Sequence, residues 1–537
     1  SMEFVLLNEG VNDGTGPTFT SASNVVQVSE GTTTLLATSP VYQVVDIDIG
    51  TGKSASPARF DAGDTITFSV TVSNRPFNLA RAAAYDVIVT DFLPNSAWDT
   101  STAAVVSTPI GWDADFQSVS TGIIYRLFTT GTTALAIGQN VTGRFSIVAG
   151  PNVSPNLRLT NRVDATADTI YGPTPTGIVS RSDTANGTTV LTVTNLLFAK
   201  SLESTGETGP VDSTTTNVQV GEFVTYRLTV TLPEVTVTNL VITDDIPAGM
   251  SYILGSARVD TNTFGGTLGA LTVDAPLGSS GTLAPNSSNV TIRFAGATVV
   301  TGDNDTNNNS FFVLIDAVVL NTNSVAGLPG SQTILTNSAT LTYTGNPSNA
   351  VPSGVVVTPV IEPRVSIVKS ITNTVVDAGD RIAVNLVVTN TGLATAYNLE
   401  WRDALNPLYF DPLSVSNTVL PAGFLFAVET NDVVIRSDTN AVQPDGTLPV
   451  GGSLLVSFEV TISSNIPPNA RFTNLASVVW DSISNARTID QQRIYGPTNS
   501  IDTLVSPNLS LAKALARTSE TGPVDTTGTN VTIGETA

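Results

Sequence analysis

A glycine followed by an acid and then an alternating strand is written four times in this chain of 537 residues. The copies are AGDTITFSVTV from Ala62, VGEFVTYRLTV from Val220, AGDRIAVNLVV from Ala378 and a shorter IGETA from Ile533. The interval is about 155 residues, the size of one domain, so the chain is a string of like units and not one large core. Other landmarks keep their order within each unit. YDVIVTDFLP (Tyr85 to Pro94), TNLVITDDIP (Thr238 to Pro247) and YNLEWRDALNP (Tyr397 to Pro407) come next, followed by RLTNRVDATAD from Arg158, ILTNSATLTYT from Ile334 and RFTNLASVVWD from Arg471. The opening of a unit is also duplicated, as NLLFAKSLESTGETGPVD from Asn195 and NLSLAKALARTSETGPVD from Asn508.

Between these landmarks, short segments rich in Val, Thr and Ile alternate with period two and are broken by Gly, Pro, Asn and Asp. No window sustains an apolar stripe at helical spacing, so the segments read as strands. The expected fold class is all-β: tandem immunoglobulin-like antiparallel β-sandwiches in an elongated rod. Expected boundaries are 40–185, 190–357 and 362–503 for three complete units. Residues 1–39 read as the tail of a preceding unit and 505–537 as the start of a fourth. Ser1-Met2 reads as an expression scar, which makes the chain an excised piece of a longer one.

Composition removes several functions. The formal charge is -22 and no cluster of Lys and Arg occurs, so nucleic acid is not an expected partner. Cysteine and histidine are absent, which excludes disulfides, cysteine proteases, His-dependent serine triads and zinc held by His or Cys. No apolar run reaches the roughly 18 residues of a membrane helix. Only 4 Trp are present and no aromatic cluster suggests a sugar platform, so glycoside hydrolysis is not expected.

The opening strands carry an unusual residue. Residues two apart in a strand share a face. Leu196, Phe198 and Lys200 therefore lie together, as do Val365, Ile367 and Lys369, and Leu509, Leu511 and Lys513. Since the apolar members must face the core, each lysine is expected to point inward. A buried ammonium without a partner costs several kcal/mol and tends to lose its proton. Two polar residues at fixed landmarks can receive it: the aspartate of the T-D or R-D step (Asp244, Asp403) and the asparagine of the T-N step (Asn337, Asn474).

Lys, Asp and Asn in a dry core have a specific chemistry. Burial lowers the lysine pKa and raises that of the aspartate, and folding supplies the proximity. The neutral amine can then attack the asparagine carbonyl while the protonated aspartate polarises it, and ammonia leaves. The product is an intramolecular isopeptide bond, made once per chain. Two other readings of the same residues stand beside it: a hydrogen-bonded cluster without a bond, and an aspartate that is only a turn residue before proline.

The stretches VITDDIPAGMSY, GDRIAVNLVVTNTGLATAYNLEWRD and LTNSATLTYT resemble the conserved repeat called domain of unknown function eleven. They are also similar to the isopeptide-forming domains of bacterial pilins and surface adhesins. The resemblance covers about three units, nearly the entire chain. It implies crosslinks from Lys200 to Asn337 beside Asp244 and from Lys369 to Asn474 beside Asp403, with Lys513 as the orphan lysine of an incomplete fourth unit. It further implies an extracellular location on a bacterial cell surface and a structural role as stalk, pilus-like shaft or adhesin, without enzymatic turnover. The implied partners are neighbouring repeats of the parent chain, and a host, glycan or other surface ligand.

The first unit departs from this pattern. Counted from the preceding proline, SPVYQVVDID puts Asp46 where EPRVSIVK puts Lys369. Counted back from the Gly-acid turn, the position is Lys53, in a glycine-rich stretch expected to be exposed. Asp91 and Asn161 are present, but no bond is expected in this unit. No cofactor is required. Calcium is the one candidate, at Asp303, Asp305 and Asn307 of GDNDTNNNS, which alternate as in calcium loops but lack the EF-hand glycine and closing glutamate. Glu207 and Asp212 form a weaker ion-binding candidate. A ligand- or glycan-binding module is the alternative function, and the second unit is its candidate because its stretch between Asp244 and Asn337 is about twenty residues longer than its counterparts.

Overall fold

The computed structural model describes residues 21–30, 33–76, 82–173, 181–206, 216–278, 281–300, 302–344, 350–438, 440, 446–484 and 491–514. Its secondary structure is all-β apart from one 3-10 turn at Thr306–Asn308. Three two-sheet sandwiches follow one another along the chain. Among the described residues, no helix is long and apolar enough to cross a membrane.

Five of the strands that recur in each sandwich set the geometry of the site. The lysine strands are Ile49–Ser56, Leu197–Thr205 and Val365–Ile371. Each pairs antiparallel with a Gly-acid strand, at Thr65–Asn74, Phe223–Thr231 and Arg381–Asn390, and both belong to the first sheet. The second sheet holds the aspartate strands (Tyr85–Pro94, Thr236–Asp245, Tyr397–Ala404), the asparagine strands (Arg158–Asp168, Ile334–Thr342, Arg471–Asp481) and the closing strands (Ser182–Val193, Val351–Pro359, Ile494–Val505). These pair antiparallel in that order. A short parallel contact ties the segment before the Gly-acid turn to the end of the closing strand or the residue just after it: Arg59 with Thr192, Val218 with Val360, and Val375 with Val505.

The alternation seen in the sequence is the alternation of burial. In Thr65–Asn74 the buried residues are Ile66, Phe68, Val70, Val72 and Asn74, with polar residues between them. The turn before this strand needs its glycine, because Gly63, Gly221 and Gly379 have φ of 90°, 89° and 85°, where a side chain is strained. At Gly63 a Cβ would also lie 2.7 Å from the Gly302 carbonyl oxygen of the next unit.

Consecutive units touch through these turns. Ala62 N donates to Glu234 O at 2.7 Å, and Tyr343 Oη to Pro155 O at 3.4 Å. Between the second and third units, Ser482 Oγ donates to Val220 O at 2.7 Å. Arg493 donates to Asn321 Oδ1, Thr322 O, Val325 O and the buried Glu362 Oε1, all within 2.9 Å. Sequence patterning did not reveal this arginine clamp.

Both ends of the described chain stand apart from the sandwiches. Val25–Glu30 and Thr33–Thr38 form a hairpin with Val25, Leu35 and Leu36 exposed. The expectation that Leu509, Leu511 and Lys513 face a core is corrected. Residues 507–514 form no strand, and Leu509 and Leu511 are 81% and 96% exposed. An inward face needs a partner strand, and IGETA from Ile533 lies outside the described residues.

Candidate functional site

Each sandwich brings a lysine, an aspartate and an asparagine together, and the ladder register explains how. Asp91 lies opposite Val163, Asp244 opposite Ala339 and Asp403 opposite Ala476. In every unit the asparagine stands two residues before that partner, so the two polar side chains are diagonal neighbours on one face. On the other sheet Lys53, Lys200 and Lys369 lie opposite Val70, Leu228 and Leu386, each the seventh residue after the turn glycine. Equal registers on both sheets aim the amine across the sandwich at the same carboxylate.

A bulge sets the facing of the aspartate strand. Five residues before the aspartate, Asp86, Asn239 and Asn398 take φ of 47°, 54° and 48°, and the ladder register shifts around each of them. Asn and Asp tolerate this left-handed conformation better than other side chains, and a bulge re-aims the residues after it. The Y-D, T-N and Y-N steps of the landmark motifs are the sequence trace of this device.

The lysine expected to be exposed is one of the three buried ones, which is the main correction to the sequence reading. Lys53 pairs with Asp91 just as Lys200 pairs with Asp244 and Lys369 with Asp403, and the side chains of all six are fully shielded. Gly50 and Gly52 do not make the segment a loop, because both pair within the ladder. Counting from the Gly-acid turn finds this lysine, since the strand register is fixed there. Counting from the proline fails, because Asp46 lies before the lysine strand, donates no amine and instead binds Arg181 Nη1 at 2.6 Å.

Burial dominates the electrostatics. It lowers all three lysines, Lys53 to about 8, against the opposing pull of the partner carboxylate. It raises the three aspartates, Asp91 to about 6, although the lysine and asparagine favour their charged forms. Rings wall two of the amines: Lys53 Nζ is 4.9 Å from the Phe68 centroid and Lys200 Nζ 4.7 Å from that of Tyr226.

The asparagines complete the triads. Asn474 Nδ2 donates to Asp403 Oδ1 at 2.7 Å and to Ala404 O at 2.9 Å, while its Oδ1 has no partner. Asn161 and Asn337 also bias their aspartates toward the charged form. Yet Asn161 Nδ2, both polar atoms of Asn337, and Oδ1 of Asp91 and of Asp244 are shielded without a hydrogen bond of regular geometry. Unpartnered buried polar atoms cost about 1–3 kcal/mol each.

The calcium candidates hydrogen-bond within their own loop. Asp303 Oδ1 accepts from Asp305 N, Asp303 Oδ2 from Asn308 Nδ2, and Asp305 Oδ1 from both nitrogens of Asn307. The Asp305 bond from Asn307 N caps the 3-10 turn. Among the described residues no group of three or more acids is arranged to hold a metal ion. Glu207 and Asp212 lie outside the described residues.

No family model and no curated protein matches the chain, so the resemblance to domain of unknown function eleven finds no support there. Solved structures similar to it include the C-terminal domain of the Streptococcus agalactiae AgI/II polypeptide BspA, at 10% identity and TM-score 0.31, covering 58% of this chain and 100% of that one. A C-terminal fragment of the S. agalactiae major pilin GBS80 is similar at 13% identity and TM-score 0.22, covering 57% and 91%. BcpA, the major pilin subunit of Bacillus cereus, is similar at 11% identity and TM-score 0.22, covering 86% and 99%. Likenesses this distant carry no argument about what the chain does.

Proposed function

We propose that the chain is a structural repeat region of a bacterial surface protein, a stalk, shaft or adhesin backbone, whose units are locked by autocatalytic Lys–Asn isopeptide bonds. The supporting observation is the recurrence of one buried Lys, Asp and Asn set at one register in three sandwiches. The proposed bonds join Lys53 to Asn161, Lys200 to Asn337 and Lys369 to Asn474. Asp91, Asp244 and Asp403 are the catalytic acids.

The reaction balances without an outside reagent. The lysine proton passes to the aspartate, and the freed Nζ lone pair attacks the asparagine Cγ. The carbonyl electrons move to Oδ1, which takes a hydrogen bond from the aspartic acid. A half-turn about Cβ–Cγ of Asn474 brings Oδ1 to that position. Collapse of the intermediate breaks the Cγ–Nδ2 bond, and Nδ2 leaves as ammonia with the proton relayed by the carboxyl. Neighbouring units of the parent chain are the proposed partners.

Such a bond changes how a unit bears load, because it joins the first strand to the one before last. Single-molecule pulling tests this. A third unit with its bond yields only the stretch after Asn474, about 100 Å at ~3.4 Å per residue, whereas an open unit yields roughly 450 Å. Steps of the longer size in the wild-type chain contradict the proposal.

A further inference from the structure

In the third unit the closing strand brings another ionisable group to the triad. Asp502 lies directly opposite Asn474 in the ladder. Opposite residues of an antiparallel pair project to the same face, and Asn474 is fully buried. Asp502 therefore turns toward the site, where its Oδ2 is shielded from solvent and has no hydrogen-bond partner. The lysine strand lies along this closing strand: Lys369 N donates to Ser500 Oγ at 3.0 Å, and Thr498 Oγ1 to Val365 O at 3.2 Å. The corresponding neighbours of Asn161 and Asn337 are Thr189 and Val356, which carry no charge.

We propose that Asp502 is a positioning residue that sets the rate of bond formation in the third unit, by holding Lys369 as its ammonium. The inference rests on the cross-linking reading above. Only the neutral amine attacks, and a second carboxylate beside it favours the charged form. The charged groups acting at this site are Asp403 from the aspartate strand and Asp502 from the closing strand, both of which favour the Lys369 ammonium, and Asp432 from the strand beside Asp403, which opposes ionisation of that acid. Opposite Lys369 on its own sheet stands the apolar Leu386. The third unit is thus braked relative to the same unit with a neutral residue at 502.

The full chain is made by cell-free synthesis and quenched into denaturant at intervals, and the three linked peptides are followed by mass after digestion. Asp502→Asn and Asp502→Val, the latter copying Val356, are expected to speed the Lys369–Asn474 bond by about three- to tenfold, since one pKa unit changes the neutral amine about tenfold. The bonds of the first two units serve as internal clocks and keep their rates. The wild-type rate in the third unit also levels off at a higher pH than in either variant, a readout that a packing role would not move. An unchanged or slower rate in both variants, with all three bonds still forming, overturns the role of Asp502 alone. Loss of ammonia from no unit overturns the cross-linking reading, and this inference with it.

Discussion

Asp403→Ala probes the third triad from two directions. The substitution removes the acid proposed to drive condensation and strands the Lys369 ammonium in a fully shielded site. Without the bond, the loop of about 100 residues from Lys369 to Asn474 regains an unfolded-state entropy equivalent to ~4.7 kcal/mol. Removing one member of a buried pair costs about 3–5 kcal/mol more. The ammonium can escape by losing its proton, which from a starting pKa of 10.5 costs about 5 kcal/mol at pH 7 and sets a ceiling on that second contribution. Together these approach the 5–15 kcal/mol that holds a typical domain folded. Adding Lys369→Met removes the stranded charge, so the double variant should be the more stable of the two by about 3 kcal/mol, or ~1.5 M in urea midpoint at a slope near 2 kcal/mol/M. Pulse proteolysis across a urea series, with fragments assigned to units by mass, measures this. The deficit of the single variant also shrinks by about 1.4 kcal/mol per pH unit above 7. A double variant no more stable than the single one, or an Asp403→Ala chain as stable as wild type, refutes the reasoning.

The remaining predictions concern pH and the junctions. In the first unit, Lys53 near 8 and Asp91 near 6 make neutral amine and protonated acid coexist best at about pH 7, so bond formation in newly synthesised chain peaks there and falls on both sides, as time-resolved mass of cell-free product will read. With the bond blocked by Asn161→Ala, the raised Asp91 makes stability fall as pH rises through about 6. The lowered Lys53 makes it recover as pH climbs above about 8, and thermal melts across pH check both limbs. At the first junction, burial raises both Asp61 and Glu234, so docking of units one and two loosens as pH rises through their folded values; Asp61→Asn should tighten it at neutral pH, as read by a fluorescence-transfer pair across the junction. Arg493→Ala leaves Glu362 buried without its cation and should cost the second junction about 3–5 kcal/mol, seen as separate melting of units two and three in calorimetry.

Much of this architecture is legible in the residues. Period-two patterning fixes which side of each strand is buried, and that alone turns Lys200 and Lys369 inward, where the sandwich has them. The aspartate and asparagine were findable because their landmarks recur in order. Glycines at 50 and 52 make the segment around Lys53 look like a loop, whereas in a ladder the partner strand decides. Its register shows only when counted from the Gly-acid turn. The bulge at Asp86, Asn239 and Asn398 was written in the motifs but needs backbone angles to be recognised. Asp502 and Arg493 carry no local signal, since their surroundings depend on a ladder partner and on a neighbouring unit far away in sequence. Asn74 and Asn390 are as buried as the triad asparagines, yet each donates to two backbone carbonyls, so burial of an asparagine does not by itself mark a triad member.

The most direct test is the intact mass of the purified, denatured chain. The account predicts a mass below that of the plain sequence by three ammonia molecules, with Asp91→Ala, Asp244→Ala and Asp403→Ala each restoring one. A mass equal to that of the unmodified sequence would mean that the three buried triads are ion pairs and nothing more, and would contradict the proposal that these units are covalently locked.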